Sequence, residues 1–150
     1  MIRTVSTAVF LLFGAAVLAG PAGFNPERLG RLIKVCTKGA NVTRELVEGY
    51  KRLEFPADPV TKCVMRCIGL NMGVYDDLTG VHMDATWQMF RSGRTDLEKK
   101  AYVDEHLGCI RGNLKSLADD AYCERVYGSY LCYKEEFERL TMGAAKSKKN

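Results

Sequence analysis

Apolar positions along the chain recur mostly at helical spacing, and strand-like alternation is nearly absent. Asn25-Pro26-Glu27 reads as an N-cap, a proline at the first helical position and a first-turn acid, after which Leu29, Leu32, Ile33 and Cys36 share one face. A second helix starts at Thr43, turns Leu46, Val47 and Tyr50 inward and stops before Pro56. Asp58-Pro59 opens a third through Val60, Cys63, Val64, Cys67 and Ile68 to about Met72, with Gly73 as its stop. The stretch from Tyr75 to Gly80 reads as a turn. Met83, Trp87 and Phe90 then stand at i, i+4 and i+7 on a fourth helix ended by Ser92-Gly93. Thr95 caps a fifth, with Leu97, Ala101, Val103, His106, Leu107 and Ile110 on its inner face and Gly112-Asn113 closing it. A sixth runs from about Asp119 to Leu140 and carries Val126, Tyr127, Tyr130, Leu131, Phe137 and Leu140; Gly128 in its interior weakens it as one unbroken helix. The predicted fold class is all-α, a bundle of six helices.

The first twenty or so residues fall outside that bundle. Arg3 precedes an apolar run from Val5 to Leu18, followed by small residues, which is the pattern of a secretory signal peptide. Cleavage after Ala19, with Val17 three places back, makes 1–19 the signal; Ala22 or Gly23 are later sites. The run breaks at Gly20-Pro21, short of the about 20 apolar residues a membrane anchor needs, and no other stretch predicts a transmembrane segment. The expected organisation is one helical domain at 24–140 and a flexible basic tail at 141–150 holding Lys146, Lys148 and Lys149. Loss of Arg3 leaves 21 Lys+Arg against 18 Asp+Glu, too mild a balance to imply nucleic acid. The protein is therefore expected to be secreted and extracellular.

All six cysteines, Cys36, Cys63, Cys67, Cys109, Cys123 and Cys132, lie beyond the signal, and export places them where disulfides persist. Three bridges are the expectation, against free thiols or a metal site. Each contributes about 2–4 kcal/mol, comparable with the whole stability of a small domain. Cys63 and Cys67 are four apart on one helical face, where Cβ atoms sit about 5–6 Å from each other, too far for a disulfide that needs about 3.8 Å. Cys123 and Cys132 are nine apart and point to roughly opposite sides of one helix. These exclusions narrow the fifteen pairings without choosing one.

The gaps between successive cysteines are 26, 3, 41, 13 and 8 residues. With the gaps of three and eight in order behind a signal peptide, the chain resembles the insect odorant-binding proteins, including pheromone-binding members. The apolar stretch after Cys67, then Asp77 and Gly80, is similar to the family's link between its third and fourth helices. The resemblance covers about Asn25 to Leu140 and implies bridges Cys36–Cys67, Cys63–Cys123 and Cys109–Cys132. It further implies a disulfide-braced bundle enclosing an apolar cavity and a non-enzymatic carrier of small hydrophobic or amphiphilic ligands, without cofactor. A membrane chemoreceptor is a candidate partner, and the chain is expected to be a monomer or weak homodimer. The slightly basic charge and lysine-bearing tail depart from many members of that family.

Thiol catalysis needs a spare cysteine, and zinc needs ligands that the isolated His82 and His106 do not supply. Tyr127 to Cys132 is faintly similar to the calcium loop of secretory phospholipases but lacks the His-Asp pair nearby. Asn41-Val42-Thr43 is a glycosylation acceptor whose threonine equally serves as a helix cap. For ligand binding, Met65, Met72, Met83 and Met89 are adaptable fillers. Trp87, Phe90, Tyr102, Tyr130 and Phe137 offer flat walls with polar edges, and Leu107 and Val126 stand beside them on the inner helical faces. His106 is a candidate pH-sensitive group near about pH 6.5, with a passive hydrogen-bonded histidine as the plainer alternative. Rival expectations are a carrier of amines in saliva or of a hormone in haemolymph, a small secreted hydrolase, and a signalling or structural protein acting through its surface.

Overall fold

A computed structural model describes the backbone of residues 23–147 and the side chains as far as Leu140; the predicted signal peptide lies outside the described residues. Among the described residues there are seven α-helices: α1 (Pro26–Thr37), α2 (Arg44–Lys51), α3 (Pro59–Met72), α4 (Met83–Phe90), α5 (Lys99–Leu114), α6 (Tyr122–Leu131) and α7 (Lys134–Ser147). The starts follow from local chemistry. The side chains of Asn25, Thr43 and Asp58 accept hydrogen bonds from the backbone N–H of Arg28, Leu46 and Thr61, satisfying donors that the first helical turn leaves free. Gly73 ends α3 at φ +73°, with the N–H of Val74 reaching the carbonyl of Gly69 and that of Gly73 reaching Leu70.

Two short strands, β1 (Tyr75–Asp76) and β2 (Gly80–Val81), pair antiparallel between α3 and α4, so the expected turn is a tight hairpin. The Asp76 carboxylate accepts from the backbone N–H groups of Leu78 and Thr79, and Gly80 supplies the positive φ the turn needs. A 3-10 turn at Asp96–Glu98 precedes α5, with Thr95 and Glu98 closing a capping box.

α3 and α6 form the central packed pair, with α1 laid on α3, α2 beside α1, and α5 against α6. The disulfides join those same partners: Cys36–Cys67 ties α1 to α3, Cys63–Cys123 ties α3 to α6, and Cys109–Cys132 ties α5 to the end of α6. No cysteine is free. Tyr50 and Trp87 are wholly excluded from solvent at the centre of the apolar core.

The sequence pattern is corrected in three places. The expected sixth helix is two, α6 and α7, and the break falls at Cys132 and Tyr133 rather than at Gly128. Gly128 instead permits close approach: a Cβ there would meet Leu114 Cδ2 at 3.0 Å, and its carbonyl accepts from Asn113 Nδ2 at 2.9 Å. Leu97 is 93% exposed because it lies in the 3-10 turn, out of phase with α5, and Ala101 is also exposed. Leu131, the last residue of α6, is exposed where the chain turns into α7.

Candidate functional site

Three helical stripes converge on one apolar cavity of about 90 Å³. Met65, Ile68, Gly69 and Met72 come from α3; Thr86, Met89 and Phe90 come from α4; Val126, Ser129 and Tyr130 come from α6. The spacings of three and four within each set, reaching seven in α3, are one face of a helix, so each element turns a continuous stripe inward. Tyr133 and Phe137 extend the α6 stripe past the break, Leu29 enters from α1, and Phe55 enters from the loop after α2. The hairpin closes the remaining side with Val74, Tyr75 and Val81. The wall is almost wholly apolar, and among the described residues no Asp, Glu, Lys, Arg or His lines it.

The polar groups of the wall are hydroxyls. Ser129 Oγ donates to the Arg125 carbonyl at 2.9 Å, and Thr86 Oγ1 donates to the Met83 carbonyl at 3.0 Å. Tyr133 Oη lies 3.3 Å from Thr86 Oγ1 and 3.5 Å from Met83 Sδ. Burial pushes the Tyr133 and Tyr130 phenols up to about 12, so both keep their protons.

A buried charged cluster backs the same wall. Glu136 accepts from Arg94 at 2.8 Å through Oε1, and its Oε2 lies 3.2 Å from His106 Nε2 and 3.1 Å from Tyr102 Oη. His106 Nδ1 bonds the Tyr102 carbonyl at 2.8 Å. With a donor needed on both ring nitrogens, the imidazolium satisfies both contacts and the neutral ring only one. Burial pulls the His106 pKa down, but the Glu136 carboxylate and the Tyr102 carbonyl outweigh it and hold it above 6.5. Burial likewise pushes Glu136 up, and His106, Arg94 and Tyr102 reverse this to hold it below the usual carboxylate range. The His106 ring stacks on Tyr133 at 4.5 Å between centroids, so the charged cluster stands one ring behind the cavity.

Of the twelve candidates, Met65, Met72, Met89, Phe90, Val126, Tyr130 and Phe137 line the cavity. Met83, Trp87, Tyr102, His106 and Leu107 do not. Trp87, Tyr102 and His106 are buried in the layer behind the wall, where Trp87 packs edge-on to Tyr102 at 5.1 Å; Met83 is partly buried and in contact with Tyr133, and Leu107 is partly exposed. Helical phase identifies an inward face but not which of two inner layers that face meets. Sequence reasoning missed the other ten lining residues, among them Phe55, Thr86 and Tyr133. Thr86 is three residues beyond Met83 and one short of Trp87, so its place on the inner stripe was readable, whereas Phe55 lies in a loop and Tyr133 at a helix break, where periodicity carries no information.

A second, outer groove of about 630 Å³, lined among others by Phe24, Pro26, Arg28 and Gln88, shares Met72, Val74 and Met89 with the cavity. Two of these three partition residues are unbranched methionines, whose side chains change rotamer at little cost. A dry cavity of about 150 Å³ admits benzene, so a guest of that size requires this wall to yield.

Among the described residues, no group of three or more His, Cys, Asp or Glu is arranged to hold a metal ion, and no helix is long and apolar enough to cross a membrane. The model of the PBP/GOBP family matches residues 25–136. Odorant-binding protein 22 of Aedes aegypti is 27% identical over 130 residues, covering 85% of this chain and 89% of that protein. A crystal structure of Anopheles gambiae odorant-binding protein 22a is 33% identical with a TM-score of 0.63, covering 77% of this chain and 93% of that one. The same Anopheles protein with bound odorant cyclohexanone matches at 33% identity and a TM-score of 0.63, covering 76% of this chain and 94% of that one.

Proposed function

The chain belongs to the PBP/GOBP family, and from that premise we propose that it is a secreted, non-enzymatic carrier that takes a small neutral apolar molecule into its helical interior and moves it through extracellular fluid. The observation that carries this reading is a cavity walled by apolar side chains and hydroxyls, with no Asp, Glu, Lys, Arg or His among the described residues that line it. Transfer of an apolar guest out of water contributes about 25 cal/mol per Å² of buried surface. A bundle cross-braced by three disulfides supplies the pocket already ordered, which reduces the entropy lost on binding.

The amine-carrier reading is disfavoured by the same wall. An ammonium or carboxylate entering it would shed its hydration and meet no opposite charge, a cost of several kcal/mol. The nearest buried carboxylate, Glu136, is outside the lining and already bonded to Arg94, His106 and Tyr102. The relative with bound cyclohexanone supports a guest of this kind. Delivery to a membrane chemoreceptor is part of the proposal, as is export directed by residues 1–19.

The test is displacement of a fluorescent apolar probe by cyclohexanone, cyclohexylamine and cyclohexanecarboxylate at neutral pH. Saturable, stoichiometric binding of the ketone, at least tenfold tighter than of either ion, is the expected outcome. Absence of any saturable binding, tighter binding of an ion, or turnover of an ester substrate overturns the proposal. N-terminal sequencing of the exported chain is expected to begin between residues 20 and 24.

A further inference from the structure

We propose that the Tyr133 hydroxyl is the polar anchor of the cavity, donating its proton to a carbonyl oxygen of the guest and so selecting ketones, aldehydes or esters over hydrocarbons of the same shape. The proposal rests on the carrier reading and deepens it by naming the ligand's functional group.

The donor is identified by following the hydroxyl protons of Ser129, Thr86 and Tyr133, which line the cavity together with the phenols Tyr75 and Tyr130. Ser129 spends its own on the Arg125 carbonyl and Thr86 spends its own on the Met83 carbonyl, both at ordinary hydrogen-bond lengths. With the Thr86 proton engaged, Thr86 Oγ1 faces Tyr133 only as an acceptor, so Tyr133 donates. Its two acceptors are poor: Thr86 Oγ1 at 3.3 Å, well beyond the usual 2.7–2.8 Å for O–H···O, and a methionine sulfur at 3.5 Å. Tyr133 is 5% exposed, so water does not make up the difference. A buried donor held this loosely gains from a better acceptor, and a guest carbonyl is one.

Tyr133 is also the most firmly positioned of the candidates. Its ring stacks on Phe90 at 5.5 Å and on His106 at 4.5 Å, and the His106 ring is fixed in turn by Glu136 and by the Tyr102 carbonyl. An anchor whose rotamer is already set loses little entropy when a guest arrives. The wall has two other phenols: Tyr130 is partly exposed and borders a surface groove as well as the cavity, so its hydroxyl can be satisfied from outside, and the Tyr75 hydroxyl is hydrogen-bonded to Arg125.

The test compares two guests of one shape, cyclohexanone and methylcyclohexane, each corrected for its water-to-hexadecane partition. The unaltered protein is expected to favour the ketone. In Y133F the ketone is expected to bind about 3- to 10-fold more weakly, the net worth of one hydrogen bond, with methylcyclohexane unchanged within about twofold. Equal weakening of both guests, or of neither, overturns the proposal, and so does loss of the ketone preference in Y130F with retention in Y133F. Should Y133F not fold, the C=O stretch of cyclohexanone bound to the unaltered protein decides: a shift to lower frequency than in cyclohexane supports the anchor, and an unshifted band overturns it. Failure of both guests to bind at all is a different result, which removes the carrier reading itself.

Discussion

His106 Nε2 and Glu136 Oε2 stand 3.2 Å apart in the interior, joining α5 to α7 across thirty residues of sequence and one aromatic ring away from the cavity. The pair holds the second half of the predicted sixth helix against the bundle, and its charge state sets how firmly.

The signs of the two shifts define a pH window. His106 is raised above 6.5 in the fold, so its contribution is complete below pH 6.5 and is lost as pH rises through the folded value. Glu136 is lowered below 4.5, so its contribution is complete above pH 4.5 and is lost as pH falls through the folded value. Urea midpoints measured from pH 4 to 9 are expected to decline on the alkaline side, and H106Q is expected to flatten that decline. The partly exposed His82, also raised, by Asp76 and the Gly73 carbonyl, gives a smaller slope of the same sign that H82Q isolates. An alkaline decline unchanged in H106Q would show that the buried pair does not govern it.

Tyr127 Oη donates to the Phe55 carbonyl at 2.8 Å, a buried bond across 72 residues that pins the loop carrying Phe55 to α6. Y127F leaves that carbonyl without its partner and is expected to cost about 1–3 kcal/mol in chemical denaturation. Because Phe55 lines the cavity, ligand affinity should fall along with stability.

Met65 is 7% exposed and lines the cavity. M65A is expected to lose about 2–5 kcal/mol of stability while enlarging the cavity. Benzene-sized guests should then raise the melting temperature of M65A by more than that of the unaltered protein, by mass action on the folded state; an equal shift in both would contradict the assigned wall.

The Cys63–Cys123 bridge closes a sequence separation of 60 and Cys109–Cys132 one of 23. Loop entropy makes removal of the first, as C63S/C123S, cost about 1 kcal/mol more than removal of the second, as C109S/C132S. Peptide mapping of the oxidised protein checks the pairing directly, and the denaturation midpoints of the two double variants check the ranking.

Helix starts were legible at Asn25, Thr43 and Asp58 because a cap is a contact between residues three apart, and the stop at Gly73 for the same reason. The part of the cavity wall formed by Met65, Met72, Met89, Phe90, Val126, Tyr130 and Phe137, seven of its seventeen residues, was legible as helical stripes. Trp87, Tyr102 and His106 were assigned to the same wall and belong to the layer behind it, since phase gives the direction of a side chain and not its depth.

The amino-acid sequence by itself determined the helical elements, the cysteine spacing that carries the family resemblance and the inward faces, all of which depend on neighbours a few positions away. Only the tertiary structure decided which inward residues border empty space and where the long helix breaks. It also decided that Tyr133, Thr86, His106 and Glu136 meet, since their partners lie 30 to 47 residues apart in the chain. Such contacts arise when packed helices bring distant positions together, and no periodicity within one segment encodes the distance between two.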